Sequence, residues 1–111
     1  MPDESISVIP GTLEMLVLKT LSLAPMHGWG IGERIQQMSR DAFRVNQGTI
    51  YPVLERLQQR GWVVAEWRQS DMNRRAKYYI LTRAGVKRLA AEQKEWERST
   101  QAVNLILRTT G

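Results

Sequence analysis

Gln47-Gly48-Thr49-Ile50-Tyr51-Pro52-Val53-Leu54-Glu55-Arg56-Leu57-Gln58-Gln59-Arg60-Gly61, with the residues that follow to Thr82, decides how this chain reads. Ile50, Leu54 and Leu57 recur at helical spacing with Val53 beside them, which predicts an amphipathic helix. Gly61 ends it as a left-handed C-terminal cap would. Pro52 fits if the helix starts near Gly48, so that the missing N–H falls at the edge of the first turn. Two β-rich runs follow, Trp62 to Arg68 and Lys77 to Thr82, joined by the polar tip Gln69-Ser70-Asp71-Met72-Asn73-Arg74-Arg75-Ala76. Alternation sends Trp62, Val64 and Glu66 one way and Val63, Ala65 and Trp67 the other. Tyr78, Ile80 and Thr82 likewise oppose Tyr79 and Leu81. A helix followed by a basic hairpin is the arrangement of a winged helix, with the helix in a major groove and the hairpin over the neighbouring backbone.

Upstream, Pro10-Gly11 punctuates the chain, and Leu13, Leu16, Val17, Thr20 and Leu21 follow helical spacing from Thr12. Glu14 lies in the first turn, where a helix favours negative charge. The break Ala24-Pro25-Met26-His27-Gly28 separates this helix from a second one. The second carries Ile31, Ile35 and Met38 on one face and Arg34, Gln36, Gln37 and Arg40 around the other. Asp41 to Asn46 is a connector in which Phe43 and Val45 form a short strand or pack under the third helix. Downstream, Thr82 caps a final helix that runs to about Arg108. The organisation expected is a flexible N-terminus over 1–9, a winged-helix domain over 10–82 and a terminal helix over 83–108. The fold class is mainly α with a small β-hairpin (α+β), a winged helix-turn-helix with a long C-terminal dimerisation helix.

A chain of 111 residues suits one domain with a modest core, and no run approaches the apolar length of a membrane span. Without cysteines there is no disulfide framework and no thiolate metal site. The acidic start Met1-Pro2-Asp3-Glu4-Ser5 lacks the layout of a signal peptide, so a cytoplasmic location is expected. Charge is concentrated. Between Arg68 and Arg88 seven cations face one anion, Asp71, a local charge of +6 in a chain whose total is +5. The rest of the chain therefore nets −1, and the basic footprint suits a polyanion such as duplex DNA.

The residues placed to meet DNA follow from this pattern. Gln47, Thr49 and Tyr51 open the third helix, where side chains reach base edges and the helix end attracts phosphate. Arg56, further along, reaches for backbone. Tyr51 has an equal reading as a ring packed on the second helix. At the tip, Asn73, Arg74, Arg75 and Lys77 are suited to phosphates or a minor groove, contacts that give affinity without sequence information. In the last helix Leu89, Trp96 and Val103 recur every seven residues, with Val86, Ile106 and Leu107 widening the stripe. A single domain has little surface left to cover it, so Leu89, Trp96, Val103 and Ile106 are read as a homodimer interface. The alternative is a helix folded back on its own subunit.

Four stretches carry a resemblance: Gly11-Thr12-Leu13-Glu14-Met15-Leu16-Val17-Leu18, His27-Gly28-Trp29-Gly30-Ile31, Gln47 to Leu57, and Arg74-Arg75-Ala76-Lys77-Tyr78-Tyr79-Ile80-Leu81-Thr82-Arg83-Ala84-Gly85. In this order and spacing they resemble the PadR family of transcriptional regulators, over roughly residues 10–108. The short C-terminus is similar to the compact subgroup with one terminal helix. The resemblance implies a homodimeric repressor on a partly palindromic operator, controlling efflux or permease genes or its own promoter. It also implies that Trp96 resembles a tryptophan which, in some compact members, stacks on planar drugs at the dimer interface. Trp96 is thus either a dimer anchor or part of a pocket for a small aromatic effector. Two departures from the family are Trp29, where Tyr is usual, and Met72 in the wing.

Catalytic readings lack parts. His27, the single histidine, has no second histidine or cysteine with which to share a metal. Gly28-Trp29-Gly30-Ile31-Gly32 follows a turn and lacks the βαβ setting of a phosphate loop. Neither an enzyme, a cofactor nor a metal is expected. The rival from another class is a winged-helix module that binds protein without specific DNA binding.

Overall fold

The computed structural model describes residues 5–69 and 71–111. Its elements are α1 (Leu13–Leu23), β1 (Met26–His27), α2 (Gly28–Met38), α3 (Gln47–Gln59), β2 (Val63–Gln69), β3 (Arg75–Leu81) and α4 (Arg83–Leu107). The strands form one antiparallel sheet in the order β1-β3-β2. The expected class holds: four helices with a small sheet and a long terminal helix. Among the described residues no helix is long and apolar enough to cross a membrane.

The core forms where the apolar stripes of α1, α2 and α3 meet the base of the sheet. Leu18, Ile31, Ile50, Leu54 and Leu57 are fully buried there, and Val63 and Tyr79 close it from below. Thr20 is tolerated inside because its hydroxyl donates to the Leu16 carbonyl at 2.7 Å. Met38, expected on the buried face of α2, is half-exposed beside Leu16 and Phe43. The helix stops there, and Arg40, expected on α2, instead lies with Asp41 in left-handed backbone (φ 52° and 67°). Ser70 of the expected tip lies outside the described residues, as do 1–4 of the stretch expected to be flexible. Within that stretch, Ile6 donates its N–H to the Ala42 carbonyl at 2.7 Å and bridges Phe43 in parallel.

Two boundaries differ from the sequence reading. The break before α2 contains β1, in which Met26 pairs with Tyr79 and His27 with Tyr78. Two residues between Pro25 and a helix show no periodicity, so the strand has no local signal. The hairpin is also longer than expected, because Arg68 pairs with Ala76 and Gln69 with Arg75. The expected tip therefore shrinks, and Arg75 is a strand residue with a fixed face.

The start of α4 is seated against the end of α3. Trp62 donates to the Leu57 carbonyl and Gly61 to the Gln58 carbonyl, both at 3.0 Å, with Gly61 at φ +76°: a complete left-handed cap. Thr82 caps α4 as expected, its hydroxyl accepting from the Gly85 N–H at 3.0 Å. The same hydroxyl donates to the Gly61 carbonyl at 2.7 Å, and the Thr82 N–H donates to the Trp62 carbonyl at 3.0 Å. A methyl group on Gly85 would collide with that Trp62 carbonyl.

Leu89 departs from the expected interface stripe. Heptad spacing groups it with Trp96 and Val103, yet only 7% of it is exposed and it belongs to its own subunit's core. Heptad spacing cannot separate the part of a helix that packs at home from the part that projects. Gly85→Ala should cost about 3 kcal/mol, because backbone cannot yield to the added methyl. Leu89→Ala should cost a similar amount, about 3 kcal/mol, as a core truncation. Urea unfolding followed by circular dichroism measures both. A change within error of zero for Leu89→Ala would place that residue outside the core.

Candidate nucleic-acid interface

The third helix is positioned by a cap that the sequence reading passed over. Asn46 Oδ1 accepts from the Thr49 N–H at 3.0 Å and from the Thr49 hydroxyl at 3.1 Å. An Asn immediately before the first helical residue was the available signal. The cap starts α3 at Gln47, so Pro52 falls at its sixth position, one turn in. There it removes the bond that the Gly48 carbonyl would otherwise accept. That polar group and the free N–H groups of the first turn are left at the exposed start of the helix.

Gln47, Thr49 and Tyr51 do not share one surface. Residues two apart on a helix point roughly 200° apart, so Thr49 and Tyr51 occupy opposite flanks. Thr49 faces the beginning of α1 across a cleft shared with Gly11, Leu13, Glu14, Pro52 and Arg56. Tyr51 faces the beginning of α2, where its ring lies so close to Gly28 that an added methyl there would meet it at 2.7 Å. The half-exposed ring of Tyr51 thus has both roles open to it: it packs on α2 and still presents an edge outward. Between the flanks, Gly48, Pro52 and Glu55 are exposed. Gln47 is partly buried, and its Oε1 is desolvated with no hydrogen-bond partner.

Arg56 sits on the α1 side. Its Nε donates to Glu14 Oε1 at 3.0 Å, and Arg60 approaches the other carboxylate oxygen at 3.4 Å. Expected to reach for backbone, Arg56 here ties α3 to the first turn of α1. A surface pair of this kind contributes about 0.5 kcal/mol. Its value lies more in orientation than in stability. No sequence signal links Glu14 to a residue 42 positions away.

The hairpin has two unlike faces. Register puts Val63, Ala65, Trp67 and Gln69 on the same side as Leu81, Tyr79, Lys77 and Arg75. At its base this side is the buried one that packs on the helices, so the outer cations Lys77 and Arg75 continue the helix-packed face. Lys77 Nζ lies 5.9 Å from the Tyr79 ring centre, and Arg75 lies 5.6 Å from that of Trp67. The acid of β2, Glu66, is on the other side and pairs with Arg68. At the tip Asn73 adopts φ 61° and accepts from the Gln69 amide. Arg74 is exposed beside it.

Two further groups complete the surroundings. Burial, and then the neighbouring Tyr51, raise the Tyr79 phenol above its ordinary value, so it remains a neutral hydroxyl under the wing. His27 caps α2, its Nδ1 accepting from the Gly30 N–H at 3.0 Å, and its ring stacks with Trp29 and meets Tyr78 edge-on. The single histidine is therefore a structural cap. The arrangement is chemically plain: a capped, exposed helix start, and beside it a hairpin face whose strand residues include cations and no carboxylate.

Comparison with known proteins agrees with this geometry. Residues 17–91 match the family model of the transcriptional regulator PadR-like family. The transcriptional regulator Rv3488 of Mycobacterium tuberculosis is 37% identical over 68 residues, which cover 61% of this chain and 63% of that protein. A PadR-like transcriptional regulator from Bacillus cereus superposes with a TM-score of 0.78 at 25% identity, over 90% of this chain and 95% of that one. A PadR family regulator from Clostridium difficile gives 0.75 at 27% identity, over 87% and 99% of the two chains. The chain belongs to the PadR-like family of DNA-binding transcriptional regulators.

Proposed function

We propose that the protein is a homodimeric cytoplasmic repressor that holds a partly palindromic operator and releases it when a small planar cation binds. The observation that carries the dimer is α4 itself. Of its 25 residues only Gly85 and Leu89 are buried, while Val103 (53% exposed), Ile106 (72%) and their apolar neighbours Leu105 and Leu107 project uncovered. A second copy of the same helix covers such a stripe by knobs-into-holes packing and sets two reading heads on one duplex. Each head would set the exposed strip of α3 at Gly48, Pro52 and Glu55 in a major groove, with Thr49 and the outer edge of Tyr51 on its two flanks and Gln47 holding the helix start, and lay Asn73, Arg74, Arg75 and Lys77 along the adjoining backbone. Arg56 would serve by holding α3 to Glu14.

Trp96 lines a hollow of about 270 Å³ between α4 and the start of α1, together with Thr12, Met15, Glu92 and Glu95. Glu92 bonds Arg88 through Oε1, but its Oε2 is buried without a partner. A flat cation stacked on the indole would give that oxygen a positive neighbour. Release of DNA then requires the ligand to bind the two dimer geometries with different affinity.

Three outcomes test this reading. Val103→Asp with Ile106→Asp should sediment as a folded monomer and lose operator affinity, since both residues lie outside the subunit core. Dimers that persist would move the interface elsewhere. Affinity for the duplex upstream of the chain's own gene should fall steeply with salt, and Arg75→Ala or Lys77→Ala should each reduce the log–log slope by about one. No retardation of that duplex at low salt would remove the repressor. Planar cations should quench tryptophan fluorescence in the wild type and not in Trp96→Ala, and equal responses would remove the effector site.

A further inference from the structure

Trp67 is exposed over 60% of its surface on the outer half of the hairpin. It is not placed at random. Register sets it directly opposite Lys77 and diagonal to Arg75, on the side of the wing that continues the helix-packed face. Arg75 lies 5.6 Å from its ring centre. Lys77 and Arg75 are two residues apart on one strand, so their backbones are separated by about 7 Å along it. The carboxylate of Glu66 is on the opposite side with Arg68, which leaves this side without an acid. An apolar plate is therefore presented beside two cations on the same side of the wing.

We infer that Trp67 is a DNA-contacting residue, its indole seated against the deoxyribose edge of one strand while Arg75 and Lys77 take the phosphates on either side. This rests on the operator-binding reading and adds an apolar contact to a surface so far described by charge alone. The chemistry is complementary. Sugars present C–H edges between successive phosphates, so a ring flanked by cations matches a repeat of apolar surface flanked by anions. Packing of this kind has no sequence preference, and it removes the indole from water on binding. Arg75, aligned by the ring, would reach its phosphate from a prepared position.

The experiment is an anisotropy titration of the 111-residue chain with the duplex upstream of its own gene, at several salt concentrations. Trp67→Ala should weaken binding about tenfold with the salt slope unchanged, in the range seen when an aromatic contact to nucleic acid is removed. Trp67→Phe should stay near wild type in affinity but lose most of the DNA-induced change in tryptophan fluorescence. Unchanged affinity in Trp67→Ala overturns the inference. So does a loss of affinity accompanied by a slope lower by about one, because the indole would then act only by aligning Arg75. Failure of the wild type to bind any duplex would instead overturn the operator reading on which the inference stands.

Discussion

Thr82 joins three parts of the molecule through its hydroxyl and its backbone N–H. It donates to Gly61 at the end of α3 and accepts from Gly85 at the start of α4, while its own N–H holds the Trp62 carbonyl at the foot of β2. Helix α3, the wing and the projecting helix α4 therefore share a single hydrogen-bonded joint. Gly85 lets α4 approach close enough for the joint to form, and Leu89, one turn later, drives the helix onto the core. Each bond contributes about 1 kcal/mol, but their effect is geometric, because none of the three parts can tilt without breaking one.

The surface shared by α3 and the wing depends on that rigidity in a second way. Affinity for a polyanion needs only positive charge, whereas register needs the charge to be fixed relative to the helix that reads bases. Pairing of β3 with both β1 and β2 holds Lys77 and Arg75 on the helix side of the wing, and the Glu66–Arg68 pair takes the β2 acid to the other side. On the far flank of α3, Glu14 neutralises part of Arg56 and Arg60. Positive potential is thereby weighted toward the wing flank, and the helix has a sided electrostatic environment.

Much of this was legible in the sequence because it rests on local rules. The apolar stripe of α3, the Gly61 stop, the alternation of the hairpin and the Thr82 cap are each written within a few residues of where they act. What was not legible depends on distant partners. Strand β1 exists only because β3 offers an edge to Met26 and His27. Leu89 has the spacing of its heptad and is set apart only by burial in the core, and Arg56 has the charge for DNA but is met by Glu14 from a distant helix. Arg75 seemed to be a loop residue because charge and loop composition coincide at the tip. Only pairing with Gln69 gives it a side.

The contact between Gly28 and the ring of Tyr51 also constrains how this surface can change over time. A side chain at position 28 needs the space the ring occupies, and a smaller residue at 51 would leave the start of α2 uncovered. Neither position can drift alone without tilting α3 against its neighbour. Sequence change on this surface is therefore freest at Gly48, Pro52 and Glu55, the open strip between the two flanks of α3, while the pair at 28 and 51 changes together or not at all.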